Sequence, residues 1–288
     1  MDNSNSEIKI YFCGISKNCK NTIEKNLLFL QNFVENCKYK SELIFVDSDS
    51  VDGTKEILKN FCNKNFYSKY FDLDGLELET DNRIERILKS RNLCLDETLK
   101  TTSFNNIIYI PMDLDIDLFK YTNIEEFENL IEYCLDKSSI NGIFPFSYPY
   151  YYDIFALRAK GWINYNSQFW TTRLKKFLKF GSFIFNYCLI FRHQKVYDQN
   201  IKENYKVTSA FGGIGIYKIS NNIIKYKLSQ EYPYDISEHI YFNSQFKNLE
   251  ILTRWKIPAP AEHLEFKLLN LKQKFRYALK TFKNDVRL

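Results

Sequence analysis

Ile8 to Cys13 (IKIYFC) is a continuous apolar run, the pattern of a strand buried on both faces. A loop carrying Gly14, Ser16 and Asn18 is expected after it. Ile23, Leu27, Leu30 and Val34 then recur at helical spacing. Leu43 to Val46 (LIFV) predicts a second buried strand ending in Asp47. The polar turn Ser48 to Gly53 follows, and Thr54 opens a helix through Leu58. Phe66 to Phe71 predicts a third strand. Asp81 to Leu99 predicts a helix with Ile84, Ile87, Leu88 and Leu95 on its apolar side. Ile107 to Met112 (IIYIPM) predicts a fourth buried strand that runs straight into Asp113.

Strand and helix therefore alternate over the first 117 residues. That order predicts an α/β fold with a mostly parallel sheet and helices on both faces. Ligands of such sheets bind at the carboxyl ends of the strands. The polar residues that close three of these strands, Ser16 with Asn18, Asp47, and Asp113 with Asp115, should therefore lie near one another.

The second half is more mixed. Asn123 to Leu135 predicts an amphipathic helix and Gly142 to Phe146 a strand. An aromatic stretch of Tyr148, Tyr150, Tyr151, Tyr152 and Phe155 follows. Thr208 to Lys218 holds Gly212, Gly213 and Gly215 ahead of a strand, and Ser237 to Phe242 starts a helix. No repeat or linker divides the chain into independent domains. Residues 1–117 and 118–263 read as two halves of a single domain. Residues 264–288 read as a basic amphipathic helix, with Leu264, Leu268, Leu271, Phe275, Leu279 and Phe282 near helical spacing among Lys267, Lys272, Lys274, Arg276, Lys280 and Lys283. It either packs on the domain or lies on a membrane surface.

Composition narrows the classes. The 288 residues are 45% hydrophobic, with Phe 25 and Tyr 21, enough for one substantial core. Gly 9 and Pro 6 exclude collagen-like and low-complexity chains. A formal charge of +5 is mild, no aromatic-spaced RNA motif accompanies it, and no nucleic-acid partner is expected. The seven cysteines are scattered, with no CxxC pair, so a disulfide framework or cysteine zinc site is not expected and a reducing, cytoplasmic setting is. No secretory leader is read at the start. No stretch reaches the ~20 apolar residues of a spanning helix. Phe177 to Phe191 comes nearest, and is either a buried helix or hairpin or an interfacial segment on the inner face of a membrane.

Asp113-Leu114-Asp115-Ile116-Asp117 carries the clearest chemistry. Alternate carboxylates after a buried strand fall on one side of an extended backbone. Clustered carboxylates repel unless a cation neutralises them. A hard divalent ion such as Mg²⁺ or Mn²⁺ suits them, with the phosphates of a nucleoside diphosphate as further ligands. Arg83, Arg86, Arg91 and Asn92 lie on the helix just ahead of that strand, where guanidinium groups can reach phosphates or pair with Glu85 and Asp96. Asp153 and Arg158 share the aromatic stretch, which suits sugar rings or a tyrosine-rich core equally. Gly212-Gly213 permits close backbone approach to a substrate, or a plain turn.

The segment Asp47-Ser48-Asp49-Ser50-Val51-Asp52-Gly53-Thr54, then Arg91-Asn92, then a strand closed by Asp113-Leu114-Asp115, resembles the GT-A glycosyltransferases. The first part is similar to the VDxxSxDGT segment of family-2-type transferases. The second half lacks their QxxRW motif. Its YYYDIFALR stretch from Tyr150, Ser209-Ala210-Phe211-Gly212-Gly213 and Ser237-Glu238-His239 resemble a capsule- or surface-glycan group that includes fungal α-mannosyltransferase-like proteins.

The resemblance implies a GT-A, Rossmann-like mixed sheet. It implies a hexosyltransferase using GDP-mannose or a UDP-sugar and Mn²⁺ or Mg²⁺, with a glycan or lipid-linked acceptor. Ser16 and Asn18 would line the nucleotide pocket and Asp47 would reach base or ribose. Arg83, Arg86 and Arg91 would serve donor phosphate or the nearby loop. Asp113 would meet ribose or metal, Asp115 the metal, with Asp117 assisting and His239 as a late ligand. Glu238 would be the acceptor-side base of an inverting enzyme, and Asp153 a second catalytic carboxylate. His193 and His263 compete with His239. Two alternatives stay open: a sugar-nucleotide nucleotidyltransferase, although no GxGTR loop follows Cys13, and a non-catalytic sugar-binding module.

Overall fold

The computed structural model describes residues 8–100, 106–177, 182–201, 203–219, 224–228 and 236–286. The strands are β1 (Ile8–Ser16), β2 (Lys40–Asp47), β3 (Ser68–Asp72), β4 (Asn106–Asp113), β5 (Gly142–Tyr148), β6 (Tyr205–Val207), β7 (Ile216–Ile219) and β8 (Leu249–Pro258). The helices are α1 (Lys20–Asn36), α2 (Thr54–Lys64), α3 (Leu76–Glu79), α4 (Arg83–Leu99), α5 (Ile124–Asp136), α6 (Ser167–Phe177), α7 (Ser182–Leu189), α8 (Glu238–Ser244), α9 (Ala261–Leu268) and α10 (Leu271–Val286). All eight strands form one sheet in the order β3-β2-β1-β4-β7-β5-β8-β6. β1 pairs in parallel with β2 and β4, β2 with β3, and β5 with β8. β7 runs antiparallel to β4 and β5, and β6 antiparallel to β8. The expected α/β class, with a mixed and mostly parallel sheet flanked by helices, is what the chain adopts.

Alternation along β1 explains its two-sided burial. Ile10 and Phe12 pack into the layer beneath α1 and α5, with Phe33, Phe127 and Leu130. Tyr11 and Cys13 point the other way, into the layer with Leu88 and Leu95 of α4 and Phe242 of α8. β7 comes from the second half of the chain yet lies between β4 and β5, so both halves share one sheet.

Several boundaries differ from expectation for local reasons. β1 continues through Gly14 to Ser16 instead of breaking at Cys13. Gly14 acts by close approach: an added Cβ would lie 2.7 Å from Leu114 Cδ1 and 3.0 Å from Phe45 Cδ1. α4 starts at Arg83 because the Asn82 side chain caps the amides of Ile84 and Glu85. β3 starts at Ser68 because Asn65 to Ser68 forms a turn, with the Ser68 amide donating to the Asn65 carbonyl at 3.0 Å, which leaves Phe66 exposed. The C-terminal region is two helices rather than one. Asn270 separates them: its side chain accepts from the Gln273 amide while Gln273 accepts from the Asn270 amide, each at 2.9 Å. In the apolar segment near residue 180, Ser182–Leu189 is helical with no fully buried residue, and residues 178–181 lie outside the described ones. Among the described residues no helix is long and apolar enough to cross a membrane. All seven cysteines are free thiols.

Phe127 is the hub of the α1/α5 layer, with ring centroids 5.4–6.0 Å from Phe12, Phe29, Phe33, Phe119 and Trp255. Phe127→Ala should destabilise the fold by about 3–5 kcal/mol through lost contacts and the cavity left behind. Denaturant unfolding checks this, and a loss below about 1 kcal/mol would show that the layer collapses around the gap.

Candidate active site

The strand order turns at β1. β2 and β3 build outward on one side of it and β4 on the other, which opens a crevice beyond the carboxyl ends of β1 and β4. Ile15 is in register with Asp113, and Ser16 with Asp47. The predicted neighbourhood of Ser16, Asp47 and Asp113 is thus real.

Arg91 organises the floor. It is fully buried, and its guanidinium donates to the Met112 carbonyl at 3.0 Å and to Asp113 Oδ1, while lying 5.0 Å over the Phe211 ring. Burial opposes its charge, but Asp113 and other neighbours outweigh this and hold the guanidinium charged. Arg91 therefore positions Asp113 and has no surface to offer a phosphate. Arg86 is also engaged, donating to the Thr80 carbonyl at 2.7 Å and lying 3.9 Å from Glu77, so it braces the loop ahead of α4. Arg83 is exposed and its charge is felt by both Asp115 and Glu238. Among the three arginines it alone faces the crevice as an accessible cation.

Asp115 is exposed to solvent but hemmed in by protein. Restricted hydration, then the Asp113 charge, pushes its carboxyl up to about 6, with Arg83 pulling the other way. Glu238, the first residue of α8, has an 11% exposed side chain. Burial raises its carboxyl pKa, Arg91 opposes this, and Asp113 adds to it. The loop bearing Asp115 is braced from α1. Thr22 Oγ1 donates to the Leu114 carbonyl at 2.6 Å, and the buried Asn26 donates to the Ile116 carbonyl at 2.7 Å and accepts from the Leu118 amide at 3.1 Å. Sequence reading overlooked Asn26; its signal was an amide on the apolar stripe of Ile23, Leu27 and Leu30.

Asp47 is fully buried. Its Oδ2 accepts from Ser16 Oγ and Ser50 Oγ, both at 2.6 Å. Asn18, at φ 54, accepts from the Val51 amide at 2.9 Å, and its own amide donates to Ser50 Oγ at 2.7 Å. Ser16 and Asp47 therefore hold the loop after β2, while Asn18 itself stays exposed at the crevice edge.

Asp153 accepts from the Gly212 amide at 2.9 Å and the Ala156 amide at 3.2 Å, and burial raises its pKa. The Gly213 carbonyl in turn accepts from the Asp113 amide at 2.8 Å. Asp153 thus positions the Gly212-Gly213 turn, and the turn positions Asp113. Both glycines have positive φ, at 79° and 102°, and a Cβ on Gly213 would meet Ile116 Cδ1 at 2.8 Å. Tyr152 is close by, with its pKa raised by burial and by Asp153, Asp113 and Asp115. His263 stacks on Tyr152 with centroids 5.1 Å apart at 21°, and Glu262 adds charge near Asp115. His263 and Glu262 reach the crevice on α9, the helix after β8, which sequence patterning did not reveal.

The expected ligand set of Asp115, Asp117 and His239 is not assembled. Among the described residues no three His, Cys, Asp or Glu side chains converge as a cation cage. Asp117 lies 3.3 Å from Lys25. The His239 ring is buried, stacks on Phe211 with centroids 3.6 Å apart, and burial beside Arg91 drives its pKa well down. Asp113 and Asp115 remain as an oxygen pair. That suits a Mg²⁺-like ion whose other ligands are substrate phosphates and water.

No protein-family model and no curated protein sequence matches the chain. Among solved structures, S. aureus TarS 1-349 in complex with UDP is similar at TM-score 0.43 and 14% identity; the match covers 96% of this chain and spans 65% of the TarS chain. Mannosyl-3-phosphoglycerate synthase from Rubrobacter xylanophilus is similar at TM-score 0.39 and 10% identity, over 98% of this chain and 74% of that one. Glucosyl-3-phosphoglycerate synthase from Mycobacterium tuberculosis, in complex with Mn²⁺, UDP-glucose and phosphoglyceric acid, is similar at TM-score 0.40 and 12% identity, over 98% and 80%.

The raised Asp115 pKa has a definite sign. Its ordinary value is 3.8, so the folded protein holds the proton more tightly, and stability falls as pH rises from 3.8 through about 6. In metal-free protein the Asp115 side-chain carboxyl carbon should titrate near pH 6 by NMR. Asp115→Asn should be more stable than the parent above that pH and indistinguishable below 3.8. A carboxyl titrating at 3.8 would mean open solvation instead.

Proposed function

We propose that this chain is a GT-A-type hexosyltransferase that binds a nucleoside-diphosphate sugar in the crevice at Asp113 and Asp115. The observation that carries this reading is the division of labour between those two aspartates. Asp113 is held by Arg91, while Asp115 stands accessible beside it, with no ion pair among the described residues and only the charge of Arg83 to offset its own. The family-like segment from Asp47 supplies the loop after β2, and Arg91 on α4 supplies the buried cation that holds Asp113. On this reading residues 1–117 would be the donor half and 118–263 the acceptor half.

On this reading Asp113 and Asp115 hold Mg²⁺ or Mn²⁺ together with the donor diphosphate. The ion would neutralise charge on the departing nucleoside diphosphate. Arg83 adds a mobile cation at the same edge, suited to phosphate oxygens. Asn18 meets the nucleoside at the crevice rim. Gly212-Gly213 is buried and holds Asp113 from behind, and Tyr152 is an aromatic wall for the sugar. Glu238, its carboxyl pKa raised by burial, would accept the proton of an acceptor hydroxyl. His239 stays a packing residue beside it. GDP-mannose and UDP-hexoses are the donors to test, in synthesis of a surface glycan.

A screen of sugar nucleotides for Mn²⁺-dependent hydrolysis tests this without an acceptor. One donor should be cleaved, activity should vanish in EDTA, and Asp115→Ala should lower the rate about 100-fold or more. Donor binding that is independent of metal and unchanged in Asp115→Ala would sink the reading.

We propose further that the protein works on the inner face of a membrane, where lipid-linked acceptors reside. Trp170, Ile184, Tyr187 and Phe275 are exposed at 46%, 61%, 45% and 67%, on α6, α7 and α10, and α10 carries Lys272, Lys274, Arg276 and Lys280. Co-sedimentation with vesicles rich in anionic lipid should exceed that with neutral vesicles, and Phe275→Asp should reduce it. Equal partition to both vesicle types would refute this placement.

A further inference from the structure

A second cleft, of about 920 Å³, opens beside the carboxyl ends of β5 and β8. Its wall is aromatic. Tyr121 and Tyr148 meet edge to face at 5.6 Å, and Tyr148 and Tyr197 do the same at 5.6 Å. Tyr148 is 42% exposed and Tyr121 36%, so ring surface is turned to the solvent of the cleft. Tyr205 continues the wall. Two lysines complete it. Lys195 Nζ lies 4.2 Å over Trp162 and 4.7 Å over Tyr205, and Lys256 Nζ lies 5.5 Å over Tyr197. Neither ammonium has a carboxylate partner among the described residues. The acid lining the cleft, Asp198, is occupied with the amide and side chain of Asn200, at 2.8 and 3.0 Å.

This cleft is joined to the candidate active site by a short piece of chain. Tyr148 lines the cleft, while Tyr152 and Asp153 line the crevice at Asp113. The segment between them is clamped by the 195–197 strip: the Tyr151 amide donates to the Lys195 carbonyl and the Tyr197 amide to the Pro149 carbonyl, both at 2.8 Å. One rigid strap therefore carries walls of both cavities.

We infer that this cleft binds an anionic saccharide, its sugar faces on Tyr148 and Tyr197 and its carboxylate or phosphate between Lys195 and Lys256. Tyrosine faces pack against the C–H faces of pyranose rings, and unpaired ammonium groups over aromatic rings select an anion. Burial also lowers the pKa of Lys195, so its ammonium gains from a bound counter-charge. Resting on the transferase reading, the ligand is the acceptor: a glycan with acidic or phosphorylated units, fed along the strap toward the crevice at Asp113.

Calorimetry on the full chain tests the site with tetragalacturonate, glucose 6-phosphate and neutral maltotetraose. An anionic probe should bind about tenfold or more tightly than maltotetraose, and raised salt should weaken it. Which anionic probe binds separates a uronate from a phosphate source. Lys256→Gln should lose about tenfold in affinity with an unchanged melting temperature. Lys195→Gln serves as the second variant, and Tyr148→Ala should weaken whichever anionic saccharide probe binds. Equal binding of maltotetraose, no binding of any probe, or unchanged affinity in both lysine variants overturns the inference. Equally tight inorganic phosphate overturns its saccharide part. Asp115→Ala should bind the probes as the parent does, so failure of the donor site and failure of this cleft are read separately.

Discussion

A guanidinium without access to water is the constraint around which this molecule is arranged. Arg91 is fully buried on α4, and an unpaired charge there would cost several kcal/mol. Its compensation comes from three places: the Met112 carbonyl, the Asp113 carboxylate and the face of Phe211. Those partners belong to the end of β4 and to the turn ahead of β7. One side chain thereby joins the helix packed on the sheet to both halves of the chain. It also divides the acidic pair, since Asp113 is committed inward and Asp115 is left facing solvent.

The crevice holds more negative charge than its visible cations offset. Asp115, Asp153 and Glu238 all have raised pKa values, each with restricted hydration as the first cause and the Asp113 charge as a further one. Asp153 is relieved by two backbone amides. Asp115, among the described residues, has the charge of Arg83 but no ion pair. A recess of this kind is poorly satisfied alone and well satisfied by a hard cation with a polyanionic substrate. The neighbouring tyrosine–lysine cleft has the opposite balance, with ammonium groups that lie over aromatic rings and have no carboxylate partner among the described residues.

Much of the scaffold was legible because it rests on local periodicity. The apolar runs at Ile8, Leu43 and Ile107 are strands buried on two faces, and such runs need no partner to be recognised. The stripes in α1, α4 and α5 are likewise intrinsic. β8 escaped notice because Arg254 and Lys256 interrupt its apolar run and its strand form rests on pairing with β5 and β6, elements distant in sequence. β6 is only three residues long and exists because β8 offers an edge. Gly14 was read as a break because glycine's usual role is a turn, whereas here it makes room for Leu114.

For the site, the sequence alone determined which carboxylates end which strands. Parallel pairing with a reversal of strand order then obliges Ser16, Asp47 and Asp113 to meet. Tertiary structure decided what each of them does. Ser16 and Asp47 close a loop upon themselves, Arg91 turns inward, Asp153 holds a glycine turn, and His239 lies against Phe211. It also brought in Asn26, Tyr152 and His263 from elements far apart in the chain. Residue type and spacing specify where a strand ends; burial and hydrogen-bond partners, which come from other elements, specify whether the group at that end faces a ligand or the protein's own backbone.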